Sequence, residues 1–252
     1  MTGVQTCALP ICPEIAAATT FEFLLRERVS RLANFRHTNF ARVRDVERVM
    51  HGESTLAVVA DRVPGARLSD LLTVAEQQLQ PLPVEAAFAL ARQIVPALAV
   101  MHEEARDACH GAVAPERIVV TPEGRAVIVE HVLGAVLAQL GLSPSQYWKE
   151  LRIALPTTAG EPRFDRRSDV TQLGVTVLSL FLGRPITDDE YPTQMSALVH
   201  GTYGLGGGFE PFPEWLQVWL GRTLQLDPRR SFANAIEARD AFVSCLEHTD
   251  ER

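Results

Sequence analysis

"HGAVAPERIVVTPEGRAVIVEH" (residues 110–131) decides the fold, because it predicts a loop, a strand, a turn and a returning strand in immediate succession. The first strand is the β-branched run at 118–120. The turn is TPEG at 121–124, where proline presets the second turn position and glycine suits the last. The apolar run at 126–129 is the return strand. Such a hairpin holds two loops side by side and therefore predicts a site built from both.

Composition and charge indicate an ordinary soluble globular protein. The chain has 252 residues, of which 46% are hydrophobic and 22% charged, and its net charge is −7. That acidity argues against a nucleic-acid partner. Apolar runs such as 175–182 are too short to span a bilayer, so no membrane segment is expected. The four cysteines have neither metal nor disulfide spacing, which favours a reducing, cytoplasmic location.

The first twelve residues, MTGVQTCALPIC, are expected to be foreign to the protein. Residues 1–11 match the translation of a common sequencing adapter whose initiating GTG is read as Met. We therefore expect residues 1–12 to be translated adapter, to take no regular structure and to contribute nothing to folding. On this interpretation the natural chain continues upstream of Pro13.

Hydrophobic periodicity predicts a small α/β part at the front and a helical part behind it. The predicted helices cover 20–36, 84–102, 168–182 with Ser168 as cap, and two segments after 214, the second capped by Ser231; the predicted strands cover 40–50 and 54–63. The helix at 168–182 is apolar nearly all round, which is typical of a central buried helix.

Six stretches, taken in chain order, resemble motifs of the protein kinase superfamily, and of bacterial serine/threonine protein kinases in particular. They are HTNFARVRDV (37–46), VADRVPGARLSDLL (59–72), HGAVAPERIVV (110–120), VIVEHVLG (127–134), RRSDVTQLGVTVLSLFLGRP (166–185) and LQLDPRRSF (224–232). The resemblance implies an α+β kinase-like fold. Residues 13–64 would form a partial N-terminal β lobe with helix C and two strands, and residues 65–252 a complete, mainly helical C-terminal lobe.

The same resemblance implies that most catalytic groups are gone. Kinases position the acceptor hydroxyl and two metal ions with side chains from the two loops beside the hairpin. The family's base aspartate corresponds to Ala112, its loop lysine to Ala114 and its metal-binding asparagine to Arg117. The metal-binding aspartate corresponds to Glu130, the single remaining candidate for a magnesium ligand. One carboxylate alone makes a poor octahedral site. Glu130 is expected to lie at a cleft edge with water available, so that its removal has little effect on stability.

Further positions follow from the same alignment. The helix glutamate that pairs with the ATP lysine falls at Arg28, with Glu27 one step away. The Gly-rich phosphate loop and its strand lysine are not found, because the single lysine is Lys149 and GLGGG (204–208) follows no predicted strand. We expect that glycine run to be a flexible loop.

Structural and nucleotide-binding roles are also implied. His110 and Asp169 are expected to be structural, with Asp169 binding the backbone of the loop at 110. His102 and His131 are expected to have no role. Backbone groups at Asp61 and Val63 and the side chain of Val119 are the candidates for holding a nucleotide.

Three functions remain open at this point. The first is a catalytically inactive, pseudokinase-like domain that binds another protein in signalling. The second is an active serine/threonine kinase with atypical motifs, whose ATP-binding loop is lost by truncation. The third is a purely structural domain of a larger bacterial signalling protein. The residues present establish no cofactor, and ATP and magnesium are the two candidates.

Overall fold

The computed structural model describes residues 6–11, 20–51, 53–80, 82–105, 108–156, 163–203 and 208–250. Within them, a three-stranded antiparallel sheet stands at the front and helices dominate the rest. The predicted α+β class, with a small sheet lobe and a mainly helical lobe, is confirmed.

The front sheet has the order β1-β3-β2 and is covered by one helix. Its strands are β1 (Thr6–Pro10), β2 (Val43–His51) and β3 (Glu53–Asp61), and the helix is α1 (Phe21–Arg31). Phe21, Leu25 and Val29 recur at steps of four and are buried, so α1 packs this apolar face against β2. The helix ends earlier than the predicted residue 36.

The expectation that residues 1–12 take no regular structure is wrong for residues 6–11, the part of this segment that the structure describes. Strand β1 pairs with β3 in the register Cys7↔Ala60, and the backbone N–H of Ile11 donates to the carbonyl of Leu56 at 2.8 Å. Ile11 is buried. The nine-residue strand β3 has two edges, and pairing on both satisfies backbone groups that a single neighbour leaves open. Cys12 lies outside the described residues.

The predicted hairpin is present and carries a third strand that the sequence did not reveal. Its strands are β5 (Ile118–Val120) and β6 (Ala126–Ile128), with Val119 opposite Val127. The short β4 (Ala66–Arg67) pairs with β5, which places Arg67 opposite Val119. Helices α2 (Leu68–Gln77) and α3 (Val84–Glu104) connect this sheet to the rear.

The rear of the molecule is built from helices around one central element. The remaining elements are α4 (Gly134–Leu137), α5 (Pro144–Leu151), α6 (Arg166–Leu182), α7 (Met195–Leu198), β7 (Gly201–Tyr203), β8 (Phe209–Pro211), α8 (Glu214–Thr223) and α9 (Ala235–Asp250). Every residue of α6 from Ser168 to Leu182 is buried, as predicted for a central helix. Residues 204–207 of the glycine run lie outside the described part of the chain.

Both predicted helix caps are wrong by three residues. Asp165 caps α6, because its carboxylate accepts from the N–H groups of Arg167 and Ser168, and Ser168 completes the capping box from the third position. At α9 the side chain of Asn234 accepts from two backbone N–H groups, while Ser231 bonds to the carbonyl of Asp227.

Helix α3 is, among the described residues, the one helix long and apolar enough to be a candidate membrane span. Its apolar residues, including Leu90, Ile94 and Leu98, are buried against α6 and α9. These are the contacts of a core helix. Pro96 lies inside it, and nothing in the structure explains why proline stands there.

Candidate functional site

The loop before the hairpin is held by a buried carboxylate in the first turn of α6. Asp169 accepts hydrogen bonds from the backbone N–H of His110 at 2.6 Å and of Gly111 at 2.5 Å. Its side chain is fully buried. Charge-assisted bonds to backbone donors are among the stronger hydrogen bonds in proteins, so Asp169 fixes the start of this loop.

His102 completes the environment of Asp169, and the expectation that it has no role is wrong. Its Nδ1 accepts from the backbone N–H of Ala235 at 3.1 Å, so the proton lies on Nε2. Nε2 then donates to Asp169 at 2.8 Å. The ring is buried and joins α3, α6 and α9. A polar side chain four residues after Leu98, on the apolar face of α3, was the signal in the sequence.

Gln172 extends the same support one turn further along α6. Its Oε1 accepts from the N–H of Val113 at 2.8 Å, and its Nε2 donates to the carbonyl of Gly111 at 3.1 Å. Sequence reasoning missed this residue. Two polar residues spaced i, i+3 in a mainly apolar helix lie on one face. That spacing could have identified the pair of Asp169 and Gln172.

His110 fastens the loop to the end of β6. Its Nδ1 accepts from the N–H of Ala112 at 3.1 Å, so Nε2 carries the proton and donates to the carbonyl of Val129 at 3.3 Å. Burial lowers the pKa of His110 well below its usual value, and the nearby charges of His131, Arg117 and Arg28 act in the same direction. The imidazole is therefore neutral and has no proton-accepting nitrogen left for catalysis.

Glycine is required at two contacting points of this loop. Gly111 has φ +75°, in the left-handed region. A Cβ on Gly134 would lie 2.1 Å from the carbonyl oxygen of His110 and 2.4 Å from the Cα of Gly111. The backbone of α4 therefore touches the backbone of the loop directly, with no room for a side chain between them.

Gly134→Ala is expected to lower the free energy of unfolding by roughly 1–3 kcal/mol, the range for overpacking a tight site. Gly221→Ala in α8 is the matched control, because its Cβ would meet nothing within 4 Å. That control should leave stability unchanged or raise it by up to about 1 kcal/mol. Urea denaturation of both variants measures the difference, and equal midpoints would contradict the close approach of the two backbones.

The loop before the hairpin has alanine at the two positions, 112 and 114, where a side chain could act on a substrate. Ala112 is fully buried and Ala114 nearly so. A methyl group can neither take a proton nor orient a hydroxyl. Ala114, which the sequence resemblance aligns with the loop lysine, is likewise a buried methyl group.

The carboxylate of Glu130, which follows the hairpin, pairs with two arginines. Its Oε1 accepts from a terminal nitrogen of Arg67 at 3.0 Å, and its Oε2 lies 3.3 Å from the Nε of Arg117. The side chain of Glu130 is 15% exposed and that of Arg117 11%. The expectation of a carboxylate at an open cleft edge with water available is therefore wrong. Glu130 also has φ +62°, a conformation that is uncommon outside glycine.

These contacts do not fit a magnesium ion at Glu130. Magnesium requires near-octahedral oxygen ligands, and both carboxylate oxygens here face guanidinium groups. Arg117 is held in place by a bond from its terminal nitrogen to the carbonyl of Leu151 at 2.9 Å. Among the described residues no group of three or more His, Cys, Asp or Glu side chains could hold a metal ion.

Arg28 joins α1 to both loops through their backbones. One of its terminal nitrogens donates to the carbonyl of Cys109 and, at 3.1 Å, to the carbonyl of His131. Burial lowers the pKa of Arg28. The neighbouring Glu27 pairs instead with Arg31 at 2.5 Å, on the exposed side of the helix. The guanidinium of Arg28 thus links α1 to both loops, at the position where the sequence predicted only the loss of an ion pair.

His131 fills an aromatic niche beside this link. Its ring makes edge contacts with Phe40 at 5.3 Å and Phe35 at 5.9 Å between centroids. Burial lowers the pKa of His131 to about 3, and the charge of Arg28 adds to the effect. Nδ1 is buried without a hydrogen-bond partner among the described residues. His131 is thus a packed aromatic residue.

Two of the three nucleotide candidates lie together. Val63 and Val119 pack against a small cluster of buried side chains formed by Ala41, Val127 and Val129. Asp61 stands at the end of β3, where both of its carboxylate oxygens accept from Arg44, at 2.5 and 3.0 Å. The segment after β3 therefore borders a small apolar cluster.

The comparisons with known proteins agree on one type of fold. No protein-family model matches the chain. Mitogen-activated protein kinase kinase kinase 19 of Mus musculus is 24% identical over 189 residues, and that of Homo sapiens is 23% identical over 194, each covering 73% of this chain. The chain spans only 14% of the length of these curated relatives.

A solved structure covers more of the molecule. The crystal structure of a cysteine-to-alanine mutant of the Mycobacterium tuberculosis PknI kinase domain has a TM-score of 0.63 to this chain. It is 20% identical and covers 95% of this chain and 84% of its own. The kinase-like fold predicted from the six stretches is confirmed.

Proposed function

Because this chain is a protein-kinase-like domain, we propose that it transfers no phosphate and acts as a protein-binding scaffold in signalling. The observation that carries the proposal is the pairing of Glu130 with Arg67 and Arg117. The single carboxylate left at the metal position is neutralised by the chain's own arginines.

The loop before the hairpin supports the same proposal. Ala112 supplies no group to orient an acceptor hydroxyl, and the guanidinium of Arg117 carries a fixed positive charge at the second metal position. Phosphoryl transfer depends on positioning and on neutralising charge through metal ions. Both contributions are missing from this loop.

The framework, in contrast, is intact. Asp169 and Gln172 bind four backbone groups of residues 110–113. A rigid scaffold without reactive groups suits recognition of another protein better than catalysis. A net charge of −7 argues against nucleic acid as that partner, and a cytoplasmic location belongs to the proposal.

A phosphotransfer assay with radiolabelled Mg·ATP tests the proposal on this chain. We expect no transfer above background, because general-base and positioning contributions are each worth roughly 10²–10⁴ in rate. Glu130→Ala is assayed beside it, and an active serine/threonine kinase serves as the positive control. Robust transfer that disappears in Glu130→Ala would overturn the proposal and establish the alternative, an atypical kinase that uses Glu130 as a metal ligand.

A further inference from the structure

A cavity lies beside the segment that follows β3. It has a volume of about 460 Å³ and is bordered by the loop after α1, by that segment and by the turn of the β5–β6 hairpin. Its floor includes Phe40 and His131. A volume of this size is typical of small-molecule pockets.

The rim of this cavity is strongly positive. Four arginines line it, and all four are exposed: Arg36, Arg42, Arg62 and Arg125. Asp61 is the one acidic residue in the lining, and its carboxylate already accepts two bonds from a further arginine, Arg44. This concentration of positive charge belongs to a chain whose net charge is −7.

The guanidinium groups of Arg36 and Arg125 keep donors for a ligand. A terminal nitrogen of Arg125 donates to the carbonyl of Thr38 at 3.1 Å, and one of Arg36 donates to its neighbour Phe35 at 2.6 Å. Each arginine has five N–H donors, so these bonds use a small part of the total. The charges of Arg36 and Arg44 lower the pKa of Arg42, after a larger effect of desolvation. A bound anion would relieve this repulsion.

We propose that this arginine-lined cavity binds a small anion that carries two or more phosphate groups. Planar guanidinium groups match phosphate oxygens in pairs of parallel hydrogen bonds. The four arginines come from separate positions around the rim, so a chain of phosphates can contact more of them than one phosphate can. The proposal does not depend on whether the domain is catalytically active.

Isothermal titration of the chain with tripolyphosphate, without magnesium, tests the site. We expect saturable one-to-one binding that weakens at least tenfold in Arg42→Gln/Arg125→Gln. The double variant Arg163→Gln/Arg229→Gln removes the same charge from two exposed positions outside the cavity and should stay within twofold of the unmodified chain. Orthophosphate should bind more weakly than tripolyphosphate.

Three results would overturn the proposal. The first is the absence of saturable tripolyphosphate binding. The second is equal weakening of that binding by the two double variants, which would indicate unspecific attraction. Binding of ATP without binding of tripolyphosphate would place recognition at the base and not at the phosphates. AMP and ATP are therefore titrated in parallel. If a nucleotide binds through its phosphates, AMP should bind more weakly than ATP.

Discussion

Asp169→Ala is expected to lower the free energy of unfolding by about 3–5 kcal/mol. The variant removes the acceptor of three buried donors, the N–H groups of His110 and Gly111 and the Nε2–H of His102. Each stranded donor costs about 1–3 kcal/mol, and partial relaxation keeps the sum near the lower end. Since domains of this kind have total stabilities of about 5–15 kcal/mol, the loss is severe.

Urea denaturation followed by circular dichroism measures this loss. Asp240→Ala is the matched control, because that carboxylate is 64% exposed and pairs with Arg239 on the surface. It should change stability by no more than about 0.5 kcal/mol. Similar midpoints for the two variants would show that Asp169 does not hold the loop in the way the structure indicates.

Glu130→Ala does not serve as a neutral reference for this measurement. The sequence suggested a water-facing carboxylate whose removal has little effect. In the structure its removal leaves the nearly buried guanidinium of Arg117 without its ionic partner. Uncompensated charges of low exposure are destabilising, so a loss of stability is expected there too.

Most of the fold was predictable because local patterns coincide with the tertiary arrangement. The central helix α6 is apolar nearly all round and is buried from Ser168 to Leu182, and the hairpin at 118–128 carries its own turn signal. Four strands, β1, β4, β7 and β8, were not predicted, and they lack such a signal. Strand β4 has two residues and exists only through its pairing with β5, and β1 is stabilised by the edge of β3.

The exact start of a helix was also not predictable from local sequence patterns alone. Ser168 and Asp165 are both residues that commonly cap a helix. The sequence alone favoured Ser168, which lies nearer to the apolar run that begins at Val170. The structure uses both residues in one capping box, so the helix begins one turn earlier. Residue preferences identify a helix end to within a few residues and leave its exact start to backbone geometry.

The site was predictable where its residues lie in one motif. Positions 110–117 and 130 follow from the linear alignment. The partners of those positions do not, because they are distant in the chain: Arg28 lies 81 residues before Cys109, and Arg67 lies 63 residues before Glu130. Periodicity cannot reveal such pairs, and Arg67 belongs to the strand that the sequence did not show.

Stability is expected to fall steeply as the pH decreases from 7.5 to 5, with His131 as one cause. The pKa of His131 is about 3 in the folded protein and near 6.5 in the unfolded chain. Below pH 6.5, His131 is therefore protonated in the unfolded state and stays neutral in the folded state. The stabilising contribution is complete above pH 6.5 and is lost towards pH 3, at roughly 1.4 kcal/mol per pH unit. His110, whose pKa is also lowered, acts in the same direction.

His131→Phe separates this contribution from that of His110. Phenylalanine keeps the edge contacts with Phe35 and Phe40 and removes the buried, unpartnered Nδ1. We expect equal or greater stability at pH 7.5, and a difference between pH 7.5 and pH 5 that is smaller by roughly 2 kcal/mol. His200→Gln, which removes an exposed histidine, should keep the pH dependence of the unmodified chain. Urea denaturation at both pH values decides the matter: an unchanged pH dependence in His131→Phe would show that the pKa of His131 is the same in the folded and unfolded states, and so that its ring is solvated in the folded protein.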